Sequence, residues 1–582
     1  MPDTSSEKPG FTLRAAVIAV GLSLFLLTSS SYVAMKIGAQ PWPIIFSVIV
    51  SGGIIKLLSG ARRVNVHEIN VAQAGGSIGG LVAAGVVFTV PGILYLNSNR
   101  HLDIPWPNPW ILGLSISLAG VLGVLLSVPL KYTFVDEEQL PYPAGTAGAE
   151  LLKLGKTGGR QLFFIMMLGA AAGVFALLRD LYFPAGITVA ALTSVGIFLT
   201  LLPLPLAVSG GYILGAAAGF SWLLGAVIGW LLLMPLLFQN GWTIASSKAL
   251  VQNLGMGMVL GSGIGFFAGY IIPRFKRIFV PILKARERYL RLAPGLALLA
   301  VGVLSLAGVP WFAAVLTILG VWIMVGVAAR MTGETNIDPL EQFGIFVGLV
   351  IAVIYKLAAI ELTIFASFMI VTFVSVACAI AGDAGHDYKS AAIVGTKFFD
   401  IVKADIIAVL AAGLAAPFVL ETIRRGFANV LFTPIMPAPQ AQLVAGSIFG
   451  FDYPAAFAAG FVLAFLAEIG NRFLPERLRN KILWMPLGIG LFLGLGLAIP
   501  LVLGALIRFY VDRTYQHLYH SGLLIAAGVM GGEGLAGFSA GALTAAGVNA
   551  TLATAILGVI FSITLILSWL LFLKRQGNFE VH

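Results

Sequence analysis

Residues 360–390 read IELTIFASFMIVTFVSVACAIAGDAGHDYKS. The run 360–381 is almost wholly apolar and matches the about 20 residues a helix needs to cross a bilayer core. Directly after it come Asp383, His386, Asp387 and Lys389: two acids, an imidazole and an ammonium in one short run. A charge in hydrocarbon is costly unless it faces a partner or a wet cavity. The stretch therefore predicts a membrane helix that leads into a polar site.

The same texture fills the chain on either side. Apolar runs near 14–36, 42–58, 110–130, 162–178, 183–202, 255–272, 293–309, 311–329, 360–381, 401–420, 454–470 and 551–573 each read as a span. Between them lie runs dense in glycine, alanine and serine, at 71–96, 206–237, 331–357, 486–507 and 521–549. Small residues let helices pack closely in lipid. Interrupted helices must turn their freed backbone groups toward protein or water. Of the 582 residues, 59% are hydrophobic and 10% charged, against about 25% charged in a soluble domain. The predicted fold is all-α: a polytopic integral membrane helical bundle of roughly 14 to 18 segments, some re-entrant or broken. No polar stretch is long enough to bury a core of its own.

Residues 211–228, GYILGAAAGFSWLLGAVI, align without gaps on 490–507, GLFLGLGLAIPLVLGALI. Gly211, Leu214, Gly215, Leu224, Gly225, Ala226 and Ile228 are identical to their counterparts. The offset of 279 is close to half the chain and suggests an internal duplication. The expected organisation is a cytoplasmic tail over 1–13, a first membrane half over 14–292, a second over 293–573 and a C-terminal tail over 574–582. Repeat-built transporters place their substrate at the interface between repeats.

The formal charge of +10 arises from basic residues gathered in connections, such as Arg274, Lys276, Arg277, Lys284, Arg286, Arg288 and Arg291. That is the bias of cytoplasmic loops, and it requires no nucleic acid as partner. Lys574 and Arg575 after the last apolar run place both termini on the same cytoplasmic side. The run 14–36 lacks the flanks of a cleavable signal and reads as a retained first span. The single cysteine, Cys378, excludes an internal disulfide and a thiolate metal cluster.

Several polar constellations interrupt the apolar pattern. Asn70, Gln73 and Ser77 stand three and four residues apart and share one helical face, with Glu68 just ahead of them. Amides and a hydroxyl there suit a peptide-like or carboxylate-bearing ligand; a polar helix start at the membrane surface is the alternative. Tyr142 lies in Gln139-Leu-Pro-Tyr-Pro, where prolines and later glycines predict an irregular segment opening a short helix. Glu334 stands beside a break set by Asp338-Pro339. Around His386 the mixture of groups titrates near neutral pH, which fits a proton relay, a substrate contact or a hydrated loop with a local ion pair. Glu533 is a lone carboxylate in the apolar, glycine-rich run 528–537, costly unless neutral, paired or cavity-facing. It is read as a proton-coupling or substrate-facing residue.

Taken in order, these motifs resemble the oligopeptide transporter family, which also contains the yellow stripe-like metal-chelate transporters. The resemblance runs through most of the chain. It rests on Glu68-x-Asn70-x-x-Gln73, Tyr142-Pro143 with Glu150 and Leu151, Gly333-Glu334, Gly382-Asp383 with Asp387-x-Lys389, Gly488-Ile-Gly490 and Gly532-Glu533. Departures are the Ala-Gly-Gly-Ser run after Gln73, where a threonine is expected early, and His386, where relatives often carry glutamine. Neither the Asn-Pro-Gly nor the Lys-Ile-Pro-Pro-Arg signature of the eukaryotic peptide branch occurs, so the chain lies nearer the prokaryotic or yellow stripe-like side.

The resemblance implies a secondary transporter in the cell membrane that couples uptake of short peptides or metal chelates to protons by alternating access. Its substrate contacts would come from Glu68, Asn70, Gln73, Ser77, Tyr142, Glu334, His386 and Lys389, and its proton coupling from Asp383, Asp387 and Glu533. No cofactor or bound metal is expected. The partners are the solute, protons and the lipid bilayer; a homodimer stays open. No GxxxxGK[ST] loop is present, so ATP hydrolysis within the chain is not expected. Two other classes remain: a membrane enzyme acting on a lipid-linked substrate, with Asp383, His386 and Asp387 at its centre, and an ion channel.

Overall fold

A computed structural model describes residues 9–40, 43–59, 64–153, 159–183, 186–197, 199–276, 280, 291–475, 477, 479 and 481–577. Parts of the expected tails (1–8 and 578–582) and Arg277, Lys284, Arg286 and Arg288 of the basic run lie outside them. The chain begins with α1 (Leu13–Ile37), α2 (Pro43–Ser59), α3 (Val66–Val87), α4 (Pro91–Arg100) and α5 (Pro109–Leu130). There follow α6 (Pro143–Lys153), α7 (Gly159–Tyr182), α8 (Pro205–Leu214), α9 (Ala216–Val227), which runs on to Gln239, and α10 (Ile244–Phe266). After the basic connection come α11 (Ala293–Leu306), α12 (Trp311–Thr335), α13 (Leu340–Leu357), α14 (Ile364–Val394), α15 (Phe398–Gly426) and α16 (Pro439–Phe449). The last are α17 (Pro454–Asn471), α18 (Trp484–Leu493), α19 (Leu495–Thr514), α20 (Tyr519–Ala545) and α21 (Ala550–Gly577).

Among the described residues, 14 helices are long and apolar enough to cross a membrane. The protein is thus an all-α polytopic membrane bundle. Helix starts follow local chemistry: the side chains of Thr12, Asn65, Asn108, Thr243 and Thr363 each accept a backbone N–H of the first turn.

α14 is the central helix. Between Ala366 and Ala391 every residue except Ser367 and Lys389 is buried, against α3, α5, α12, α13 and α15. The apolar pattern stops at residue 381, yet the helix continues to Val394. The polar run 382–390 is therefore a buried helical face and not a hydrated loop, because its side chains find partners on neighbouring helices. The run 183–202 also departs from expectation. Instead of a span it holds a short antiparallel pair, Ile187–Thr188 with Thr200–Leu201, around the tight turn Ala190–Val195. Gly186 and Gly196, both at positive φ, cut the run into pieces too short to cross.

The two aligned segments occupy equivalent places. Gly215 breaks α8 from α9 at φ 87°, ψ 176°, and its counterpart Gly494 breaks α18 from α19 at φ 79°, ψ −172°. Their packing is reciprocal. A Cβ on Gly211 would fall 1.8 Å from Leu501 O, and one on Gly490 would fall 2.0 Å from Trp222 O. Likewise Gly225 abuts Leu487 O and Gly504 abuts Val208 O. Each contact maps onto the other by the same 279-residue offset, as across a two-fold axis. The flanking helices repeat this. In α10 beside α17, Gly257, Gly261 and Gly265 meet Phe457, Phe461 and Phe465 in turn. In α7 beside α20, Gly169 meets Gly528 and Gly532.

The backbone at Gly494 lies in a region essentially closed to other residues, and a Cβ there would meet Trp230 Cε2 at 2.6 Å. Gly494→Ala is expected to destabilise the protein by roughly 1–3 kcal/mol, read as a lower thermal midpoint in detergent. Gly558, which has open space around it, should tolerate alanine.

Candidate functional site

The polar face of α3 meets the polar face of α14 near the N-terminal end of α15. Close approach is set by bare backbone: a Cβ on Gly75 would sit 3.0 Å from Ala404 O of α15, and one on Gly85 would sit 2.7 Å from Val376 Cγ2 of α14. Asn70 Nδ2 donates to Thr396 Oγ1 (3.0 Å), which lies 3.2 Å from His67 Nδ1. Ser390 Oγ donates to Asn70 Oδ1 (2.8 Å), and Gln73 Nε2 to the same oxygen (3.3 Å) and to Asp387 Oδ1 (3.0 Å). One turn on, Ser77 Oγ donates to Asp383 Oδ2 (2.8 Å). Five of the sequence-derived site residues, Asn70, Gln73, Ser77, Asp383 and Asp387, thus gather in one buried cluster, hydrogen-bonded as two groups.

That cluster is short of donors. Gln73 Oε1, Asp387 Oδ2 and both oxygens of Asp405 are buried with no hydrogen-bond partner among the described residues. Asp383 and Asp405 are the charged neighbours of Asp387. No lysine or arginine forms an ion pair with any of the three among the described residues. Nor does any group of three metal-ligating side chains converge there among them. Buried polar groups are normally satisfied, so the unpartnered carboxylate oxygens of Asp387 and Asp405 are suited to receiving protons. The row of acids extends into the loop before α13. Asp338 has both oxygens without hydrogen-bond partners among the described residues, and burial, reinforced by Glu341 and Asp383, pushes its carboxyl well above the ordinary carboxylate range.

The other expected residues lie around this centre. Glu68 faces α1, where Arg14 forks onto it (Nε 2.9 Å) and Thr12 Oγ1 donates at 2.5 Å. Tyr142 and His386 engage each other edge to face at 5.5 Å between ring centres. Gly145 N–H donates to His386 Nδ1 (3.2 Å), and Tyr142 OH donates to Ala329 O (2.9 Å). Both side chains are held by protein groups at these atoms. Glu334 pairs with Arg330 at 2.9 Å, and Arg330 reaches Glu138 at 2.8 Å. Lys389 is half-buried at the edge.

Glu533 stands apart on α20. It is fully buried, paired with Arg179 of α7, and accepts the Leu206 N–H at the start of α8 (2.8 Å). Arg179 also holds Asp180 at 2.8 Å. Lys36 of α1, almost fully buried, lies 5.0 Å from the Tyr32 ring in the same region. Of the sequence readings of Glu533, the structure has the paired one.

At the C-terminal ends of α10, α12 and α17 a cleft of about 450 Å³ opens, lined among others by Arg274, Glu334, Glu468, Arg472 and Arg479.

The sequence reading missed Asp405, Asp338 and Arg179. Asp405 carried the same signal as the acids that were found, a carboxylate within the apolar run 401–420. Nothing local marks Arg179 as the partner of a residue 354 positions away.

A helical bundle with acids buried on its central helices and a polar cleft at one face has the make-up of an integral membrane transporter. The chain matches the model of the OPT oligopeptide transporter protein family over residues 10–270 and 289–544 and belongs to that family. It is a multi-pass membrane transporter and not an enzyme. It is also 25% identical to a Haemophilus influenzae protein described as "Putative oligopeptide transporter", over 89% of this chain and 93% of that one.

Proposed function

We propose that this transporter imports short peptides, with metal chelates as the other substrate class, by proton-coupled alternating access. The observation that carries the proton coupling is the set of carboxylate oxygens on Asp387 and Asp405 with no hydrogen-bond partner among the described residues. Protonated, Asp383, Asp387 and Asp405 are neutral and let α3, α14 and α15 close around them. Deprotonated, they repel one another, and among the described residues no lysine or arginine pairs with them to offset the charge. Proton binding and helix separation are therefore linked. Asp383 and Asp387 carry the protons in this reading, and Asp405 joins them.

Reciprocal packing at the broken helices supports two inverted halves, 14–292 and 293–573, rocking against each other. In that scheme α1, α7 and α20 correspond to α12, α17 and α10. The cleft at the second set is open, whereas the corresponding place at the first is closed by the Arg179–Glu533 pair. Arg274, Arg472 and Arg479 mark the open side as cytoplasmic, so this is an inward-facing state. A proton arriving from outside would neutralise Glu533 and break its ion pair with Arg179, leaving Arg179 to Asp180, which couples proton binding to opening of that face. Asn70, Gln73 and Ser77 then contact solute from beside the acids, and Glu334 from the cleft.

The test is uptake into proteoliposomes under an inward proton gradient, comparing labelled tri- to pentapeptides with a nickel-loaded chelator. Accumulation of one class, collapsed by a protonophore, is the expected result. Equal signals with and without the gradient for both classes would sink the proposal.

A further inference from the structure

The cleft at the ends of α10, α12 and α17 falls within the range of about 300–1,000 Å³ typical of small-ligand sites. Its lining carries the guanidinium groups of Arg274, Arg472 and Arg479 against the carboxylates of Glu334 and Glu468. Those carboxylates already have partners: Glu334 pairs with Arg330, and Glu468 Oε2 accepts from Ser262 Oγ at 3.2 Å. Arg472 and Arg479 form no ion pair among the described residues. Arg479 Nη2 donates to the carbonyls of Arg472 (3.2 Å) and Leu474 (3.3 Å), which sets it beside residue 472, and both arginines line the cleft. The stem of Arg472 lies over Gly269, where a Cβ would come within 3.3 Å of its Cδ.

We infer that this cleft binds the carboxylate of the transported solute, with Arg472 and Arg479 as the receiving pair. A guanidinium presents parallel N–H donors that match a carboxylate, and such charge-assisted bonds are stronger than neutral ones. Among the described lining residues three arginines face two carboxylates, a balance that selects an anionic group, and the cleft volume admits a small solute rather than a protein. This rests on the transporter reading above and deepens it by naming the group recognised. A peptide C-terminus and a carboxylate chelate both supply that chemistry.

The test uses the full-length protein in nanodiscs and measures affinity for trialanine, trialanine amide and nickel nitrilotriacetate. Removing a charged hydrogen-bond partner is worth about 1.5–3 kcal/mol, which converts to roughly tenfold to hundredfold in affinity. Trialanine should bind at least about tenfold more tightly than its amide. Arg472→Gln with Arg479→Gln should erase that preference by weakening the acid alone, and the unchanged amide affinity reports an intact fold. Binding of only the nickel complex, lost in the same double variant, supports the carboxylate site with a chelate as its source. Equal affinity for acid and amide in the wild-type protein overturns the inference, as does a preference that survives the double substitution. Binding of none of the three also overturns it. Gradient-driven peptide uptake without a preference for the free acid overturns this site while leaving the transporter reading intact.

Discussion

Arg179→Gln is expected to be the most damaging single substitution in the bundle, lowering stability by about 3–5 kcal/mol. The guanidinium is 4% exposed and Glu533 is 0% exposed, so the change strands a carboxylate with, among the described residues, only the Leu206 N–H still donating to it. A buried pair need not be worth much in itself, because desolvation opposes the attraction. Breaking it from one side is different, since the remaining charge keeps its full desolvation cost. Thermal unfolding in detergent should show a large fall for Arg179→Gln, and Arg179→Met combined with Glu533→Leu should recover most of it. Glu533→Gln should be milder, because Asp180 still engages Arg179. In the proposed mechanism it abolishes proton-driven uptake while leaving a folded protein. A wild-type melting temperature for Arg179→Gln would remove the pair from any structural role.

Asp387→Asn should produce the opposite pattern: a stable protein that no longer accumulates solute. Asparagine retains an oxygen to accept the Gln73 Nε2 bond, now 3.0 Å long at Asp387, and it removes one of three neighbouring acids. Stability should therefore stay within about 1 kcal/mol of the wild type, the worth of one ordinary hydrogen bond. Gradient-driven uptake should fall to the level of empty vesicles, while exchange of labelled for unlabelled solute, which needs no net proton movement, continues. Asp405→Asn should behave alike. Loss of exchange together with uptake would point to substrate binding or folding instead, and undiminished driven uptake would exclude Asp387 as a carrier.

The two results separate acids that look the same in the sequence. Asp387, Asp405 and Glu533 are all carboxylates within or just after apolar runs, and the rule that such a group is functional or paired applies to each. Only the packed bundle tells them apart. Glu533 is claimed by an arginine on another helix, whereas Asp405 has no donor within reach among the described residues. Helical spacing did place Asn70, Gln73 and Ser77 on one face, because the period of the helix is a local property. It did not reveal that α14 continues beyond residue 381, since loss of the apolar pattern resembles the end of a helix. Nor did apolar length alone exclude the run 183–202 as a span, because two glycine turns outweigh hydropathy there.

What the sequence by itself determined is the membrane class, the all-helical bundle, the alignment of 211–228 on 490–507 and the unusual number of acids in or beside apolar runs. These follow from hydrocarbon length, backbone hydrogen bonding and the cost of charge in lipid, which act residue by residue along the chain. The tertiary structure decided which of those acids are neutralised, which are left without donors, and where the arginine-lined cleft opens. Gln73 meets Asp387 across 314 residues and Arg179 meets Glu533 across 354. The partner of a buried charge is set by which helices pack together, and no spacing along one helix encodes that.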